Sequence, residues 1–257
     1  MLMKTSAQKQ FSKNAEQYRD EPLFSAGHDL EAMVKSVPLA GDEALLDVGA
    51  GAGHTAIAFS PFVKQCTGID VTEEMVKTAA LYAKEKNACN VTFLQGDAEK
   101  LDFPDASFDI VTCRFAAHHF PDISRAMSEI ARVLKPGGSF ILVDHHAPED
   151  KALDQFINLL NQMRDPSHVR EYSLAEWNKW FEENGLDYTE QGRWNIPIEY
   201  DNWIHRGAVP EEKRPAIAAH LTGSSQACRD EFQIVLAENG RPLSFCLKGV
   251  LILGKKR

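Results

Sequence analysis

A glycine-rich turn and three aspartates have the types and spacing to hold a nucleoside ligand. The run Leu45-Leu46-Asp47-Val48-Gly49-Ala50-Gly51-Ala52-Gly53-His54 reads as a strand entering a tight turn and then a helix. Glycine belongs where the backbone must turn sharply and let a ligand approach with no Cβ in the way. Asp70, in Gly68-Ile69-Asp70-Val71, ends the next apolar run about 20 residues beyond the first glycine, where a carboxylate can accept from both hydroxyls of a ribose. Asp97, followed by Ala98, closes the run after that. A lone Asp is ordinarily a helix cap or a solvated surface acid. Three at successive strand ends point to one place, because open α/β sheets bind ligands outside those ends.

A ribose site serves NAD and S-adenosylmethionine (SAM) alike, and Asp47 and His54 separate them. A dinucleotide needs the amides at the helix start free for pyrophosphate, and a carboxylate just upstream repels that anion, whereas SAM offers an ammonium. The third glycine falls at Gly53, and the position where a dinucleotide fingerprint wants glycine holds His54. An NAD-dependent oxidoreductase is therefore the second reading. A SAM-binding module without catalysis is the third, since such motifs show binding and not turnover.

His118 and His119 follow the fourth apolar run, and His145 and His146 follow the fifth. All four fall at the carboxyl edge, where an acceptor would dock. Histidine exchanges a proton near neutral pH, which makes His118, His119 and His145 the candidates for a general base, each against a plain capping or packing role. Two histidine pairs near Asp144 also suggest metal ligands, but neighbours on extended chain point to opposite faces, so no metal site is expected.

The elements that must position these residues are legible as strand-length apolar runs: Ala44 to Val48, Val63 to Ile69, Val91 to Leu94, Phe108 to Cys113 and Phe140 to Val143. Segments of helical spacing separate them, which is the pattern of a doubly wound α/β sheet, mostly parallel and covered on both faces. Before the sheet, Phe11, Ala15 and Tyr18, then Leu30, Met33, Val34 and Val37, predict two short helices. Thr72 is placed to cap one helix and Asp122 another, the latter ending at Lys135-Pro136-Gly137-Gly138. Ser173-Leu174-Ala175-Glu176 is a capping box ahead of Trp177, Trp180 and Phe181. Strands near Leu186 to Ile198 and Leu243 to Leu253 then pair antiparallel at the sheet edge. The connection between them, Asp201 to Gly240, is too long for a hairpin loop and is expected to form a cap or an added packing layer. Asp165-Pro166-Ser167-His168-Val169-Arg170 is either a wall of the acceptor pocket or a surface turn.

Composition is consistent with one folded enzyme-sized domain: 44% hydrophobic and 25% charged residues suffice for a core. A net charge of -9 gives no footprint for phosphate backbones, so nucleic acid is not an expected partner. No apolar run reaches the ~20 residues of a membrane span, and no leader pattern opens the chain, which points to the cytoplasm. Five scattered cysteines without a Cys-x-x-Cys pair read as reduced packing thiols.

LLDVGAGAG, GID, QGDAEKLDFPDASFDIV and RVLKPGG, in this order and spacing, resemble the class I SAM-dependent methyltransferases, in particular the ubiquinone/menaquinone biosynthesis branch, over roughly residues 40 to 146. The resemblance implies a Rossmann-like, seven-stranded sheet with an antiparallel last strand and a small helical cap. It assigns Asp47 and the loop Gly49, Ala50, Gly51, Gly53 to the methionine portion of SAM, Asp70 with Val71 to the ribose side, and Asp97 with Ala98 to the adenine. Arg114 and Phe115 fall near the methionine end, and Tyr18 is a candidate to close over the cofactor. The quinone enzymes show Arg-Asn after the fourth strand, and here Arg114 precedes Phe115-Ala116-Ala117-His118-His119.

The resulting expectation is a SAM-dependent methyltransferase acting on a small-molecule acceptor by in-line displacement. One domain spans 1–257: N-terminal helices 1–40, SAM-binding core 41–146, a helix and sixth strand 147–200, a cap insertion 201–240 and the last strand 241–257. The accepting atom and the oligomeric state carry no signal in the sequence.

Overall fold

The computed structural model describes residues 2–12, 19–21, 25 and 27–257. The five apolar runs are strands: β1 (Ala44–Val48), β2 (Gln65–Asp70), β3 (Val91–Gln95), β4 (Phe108–Arg114) and β5 (Leu134–His145). They lie parallel in the order β3-β2-β1-β4-β5. β6 (Thr189–Glu199) and β8 (Pro242–Lys255) complete the sheet, with β8 running antiparallel between β5 and β6. A two-residue strand, β7 (Val235–Leu236), adds an eighth member paired to β8. The chain order reverses at β1, whose carboxyl end is therefore the switch point where a crevice opens.

The helices described are α1 (Leu2–Phe11), α2 (His28–Lys35), α3 (His54–Phe59), α4 (Glu73–Glu85), α5 (Ile123–Val133), α6 (Lys151–Arg164), α7 (Leu174–Glu183), α8 (Tyr200–Arg206), α9 (Arg214–Thr222) and α10 (Gln226–Glu231). Strand alternation sends adjacent residues to opposite faces. Leu45, Ile110, Ile141 and Val143 meet Met33 of α2 with Ala56 and Phe59 of α3. Their neighbours Leu46, Val111, Phe140 and Leu142 meet Met127 and Ile130 of α5 and Trp177 and Phe181 of α7. Burying both faces of each central strand is what a continuous apolar run encodes.

The helix caps agree in part with the sequence. Asp122 Oδ1 accepts from the Arg125 amide at 3.1 Å. The capping box closes both ways, Glu176 N to Ser173 Oγ at 3.3 Å and Ser173 N to Glu176 Oε2 at 2.8 Å. Thr72 stands at the start of α4 but its side chain caps nothing; instead its own amide donates to Asp70 Oδ1 at 2.8 Å. The Lys135 to Gly138 stretch does not close α5, which stops at Val133, and Leu134 already pairs with Phe108. Of the two N-terminal helices, α1 and α2 are seen, while Ala15 and Tyr18 lie outside the described residues.

Residues 147–200 hold two helices where one was expected. α6 is capped by Asp150, whose Oδ1 accepts from the amides of Ala152 and Leu153, and it buries Phe156, Ile157 and Leu160. These residues organise the expected cap. Trp203, Ile217, Leu221 and Phe232 from 201–240 join Phe156, Leu160 and Phe245 in a second core beside the main sheet. Only α8 from that stretch reaches the crevice, through Trp203 and Arg206. No helix among the described residues is long and apolar enough to cross a membrane. Cys66, Cys113, Cys228 and Cys246 are buried and Cys89 is exposed, all as free thiols.

Candidate active site

One continuous cavity runs along the carboxyl ends of β1 to β5, from the glycine loop to α8. At the loop end it is lined by Gly49, Ala50, Gly51, Asp70, Val71, Asp97 and Ala98, with Arg114 and Phe115 further along. Asp47 and Gly53 are not on its surface. Gly51 has φ +51° with nothing within 4 Å of where a Cβ would stand, so its bare backbone faces open space. Gly53 has φ +88°, and a Cβ there would come within 2.6 Å of Phe93 Cζ, so this glycine lets α3 pack on β3.

Asp47 lies beneath the loop, 1% exposed, with Oδ1 accepting from the Thr112 hydroxyl at 2.8 Å. Burial pushes its pKa to about 6 against the pull of that hydroxyl. Asp70 is held from both sides, Oδ1 by the Thr72 amide and Oδ2 by the Gly51 amide at 2.9 Å. Burial raises its pKa, and these amides oppose the rise. The carboxylate is thereby locked with its remaining lone pairs directed to the cavity that it lines. Three amides of the loop are bonded within the protein: Ala50 N goes to Ile69 O, Gly51 N to Asp70 and Gly53 N to Ala50 O. Those amides are not available to a pyrophosphate, which counts against a dinucleotide. Asp97 Oδ1 accepts from the Glu99 amide at 3.0 Å, fixing the turn that carries Ala98.

Arg114 forms a buried fork with Asp29 of α2, Nη2 to Oδ1 at 3.2 Å and Nε to Oδ2, and its guanidinium sits over the Phe115 ring. Phe115 has φ +50°, a left-handed conformation uncommon for an aromatic residue. That turn swings the chain out of β4 into the short 3-10 helix Ala117–His119.

At the far end four histidines converge. The ring of His118 lies 4.2 Å from His119, 5.2 Å from His145 and 5.7 Å from His168. Divergence was expected from extended chain, and it holds for His145 and His146, whose Nδ1 turns to Ala147 O. His118 and His119 do not diverge, because they sit in a helical turn. His168, in the loop after α6, belongs to the stretch read as a pocket wall or a surface turn; that its ring joins the other histidines is visible only in three dimensions.

These histidines differ chemically. His118 Nδ1 lies 2.6 Å from Asp144 Oδ1, and Asp144 also accepts from the amides of His118 and His145. Burial works to lower the His118 pKa, but the Asp144 carboxylate overrides it and holds it above the ordinary value. Burial and the neighbouring His118 lower His119 to about 4 and His145 to about 3. His168 falls to about 2 for the same reasons. The cluster therefore holds one readily protonated ring. Ligand atoms of His118, Asp144 and His145 lie within 4.8 Å of one another, a spacing a metal ion could bridge. Asp144, however, already accepts three hydrogen bonds, which is the arrangement of a carboxylate orienting an imidazole.

Glu171, Asn161 and Arg164 also line this end and were not singled out from sequence, although Asp165 and His168 of the suspected pocket wall do line it. Glu171 is 1% exposed, and burial drives its pKa to about 8 against the influence of His118.

A methyltransferase-domain family model matches residues 46–142. YcgJ of Bacillus subtilis (strain 168), an uncharacterized methyltransferase, is 56% identical over 247 residues, 96% of this chain and 98% of its own. The YcgJ crystal structure matches with TM-score 0.88, covering 90% of this chain and 98% of that one. A demethylmenaquinone methyltransferase of Lactococcus lactis subsp. lactis is 29% identical, over 74% of this chain and 77% of its own. A SAM-dependent methyltransferase from Aquifex aeolicus shares the fold at 20% identity and TM-score 0.56, over 94% and 97%.

Proposed function

The chain belongs to the class I SAM-dependent methyltransferases, and we propose that it methylates a small-molecule hydroxyl at the histidine end of the cavity, His118 taking the proton. The observation that carries this is the His118–Asp144 pair, a single basic imidazole in a cavity continuous with the glycine loop.

The loop end fits SAM. Gly51 leaves room for a ligand, the fixed Asp70 carboxylate suits a ribose diol, and the turn at Asp97 and Ala98 stands where adenine would lie. Asp47 would act through the loop, by holding it to β4 through Thr112 and by placing negative charge behind the methionine ammonium. SAM supplies a methyl group on an already activated sulfonium, so the protein's share is positioning and proton management.

The chain's own part follows from the bonds described. Asp144 accepts a hydrogen bond from the His118 Nδ1–H, which holds that proton on Nδ1 and leaves Nε2 as the base. Neutral His119 and His145 add no competing charge. Phe115, Ile198, Trp203 and Leu247 contribute apolar walls that keep water from the reacting atoms.

Incubation with methyl-labelled SAM and a metabolite extract, followed by mass spectrometry, tests the reading. A labelled O-methyl product is expected from the parent and not from His118→Asn, which should bind S-adenosylhomocysteine unchanged. A product methylated on carbon, or full activity in His118→Asn, would overturn it.

A further inference from the structure

Glu171 Oε2 and Arg164 Nη2 are buried polar atoms without a hydrogen-bond partner among the described residues, and both residues line the acceptor end of the cavity. Buried polar atoms are nearly always paired, so such orphans beside a cavity need a reason.

Their surroundings are built to hold them there. Asn161 and Arg164 stand three apart on α6 and so share a face. Asn161 Nδ2 donates to Glu171 Oε1 at 2.8 Å, which reserves Oε1 as an acceptor and leaves Oε2 directed elsewhere. Arg164 Nε donates to Trp203 O at 3.3 Å and the guanidinium lies over the Trp203 ring. Gly207 is bare beside it, and a Cβ there would overlap Arg164 Nε. The nearest carboxylate, Asp165, has Oδ2 at 3.7 Å from Nη1 and gives its other oxygen to Ser167 at 2.6 and 2.8 Å. The arginine charge is thus only loosely compensated, and a charge this largely shielded from water gains from a close anion.

We propose that Arg164 and Glu171 form a carboxylate-binding subsite, so that the methyl acceptor is a small hydroxy acid with an apolar body. This rests on the methyltransferase reading of the cavity. Arg164 Nη2–H and the Glu171 carboxyl, which carries its proton at neutral pH because burial raises its pKa to about 8, both donate to the ligand's carboxylate. With the acid group seated there, the hydroxyl faces His118 on the same lining and the hydrocarbon lies against Phe115, Trp203 and Leu247. An uncharged carbonyl could use the Glu171 donor but would leave the arginine without its anion.

The test is calorimetric titration of protein saturated with S-adenosylhomocysteine, using salicylate, mandelate and phenyllactate, each against its own carboxamide. At least one acid is expected to bind tenfold or more tighter than its amide. Arg164→Gln should abolish that preference. Glu171→Gln, whose amide still donates, should weaken the acid less than Glu171→Leu, and every variant should bind S-adenosylhomocysteine like the parent, which controls for folding. Equal binding of each acid and its amide, or an intact preference in Arg164→Gln, would overturn the subsite and leave the methyltransferase reading standing. Failure of the parent to bind S-adenosylhomocysteine would instead overturn the reading on which the subsite rests.

Discussion

On the proposed reading, His118 sets the pH dependence of turnover. It must be neutral to accept a proton, and Asp144 holds its pKa above the ordinary value, so kcat/KM should rise with pH and level off only above the usual histidine range. Asp144→Asn removes the main opposition to burial, leaving only the weaker pull of Glu171 and Asp165, which should move the rising limb to lower pH while lowering the plateau. His118→Asn should lower the plateau by roughly 10²- to 10⁴-fold. A pH profile of the three proteins checks this, and a limb unmoved in Asp144→Asn would remove the pair from catalysis. Asp70 offers a second test at the same scale. Replacing it with Ala removes hydrogen bonds to a charged group, about 1.5 to 3 kcal/mol, so S-adenosylhomocysteine should bind roughly 10- to 150-fold more weakly by calorimetry. At this scale the sequence was legible wherever a residue follows a strand: Asp70, Asp97, His118 and His145 all face the crevice because topology forces strand ends together. Glu171 was not, and His168 was reached only as part of a stretch that could equally be a surface turn, since both come to the crevice by way of a loop whose path depends on how α6 packs.

The elements divide into those announced by their own residues and those made by packing. β1 was readable to the residue from Ala44–Val48, because a strand buried on both faces is a nearly continuous apolar run, broken here only by Asp47. α6 carried its signal too, an Asp150 cap, apolar positions at helical spacing and prolines on either side at Pro148 and Pro166, and it was passed over in favour of the stronger capping box of α7. The cap was the hardest to place. Its length showed that it would carry structure, and its apolar residues fitted a lid as well as a core; the packing of Phe232 on Phe156 decides for a core over most of it. Replacing the whole stretch from Asp201 to Gly240 by a turn is therefore expected to expose Phe156, Leu160 and Phe245 and not merely to open the crevice. A milder change isolates the effect. Phe232→Ala should destabilise the protein by about 3 to 5 kcal/mol in urea unfolding, while S-adenosylhomocysteine affinity of the folded protein stays the same. A large loss of that affinity would mean that the second core supports the cofactor end as well.

For the whole molecule, one sheet joins the glycine-loop end, the proposed donor site, to the histidine end, the proposed acceptor site. A ligand that binds only the native state stabilises all of it at once. S-adenosylhomocysteine at a hundred times its Kd should contribute about 2.7 kcal/mol, a Tm rise of roughly 5 to 10 °C for a chain of this size, and NAD should give none, because the Ala50, Gly51 and Gly53 amides are already bonded within the protein. Differential scanning calorimetry decides between them, and a comparable rise with NAD would reopen the dinucleotide reading. The place of β8 has a further consequence. It comes last among the strands in chain order yet pairs with β5 along Ser139 to His145 and with β6 along Thr189 to Glu199. During synthesis, then, the donor half can assemble from β1 to β5 while β6 has no neighbour to bond, and the acceptor half waits for residues beyond Pro242 to thread into the gap. A translation stop shortly before that point would leave a nascent protein with its glycine loop formed and two open strand edges, one of them beside His145, ready to pair with another chain.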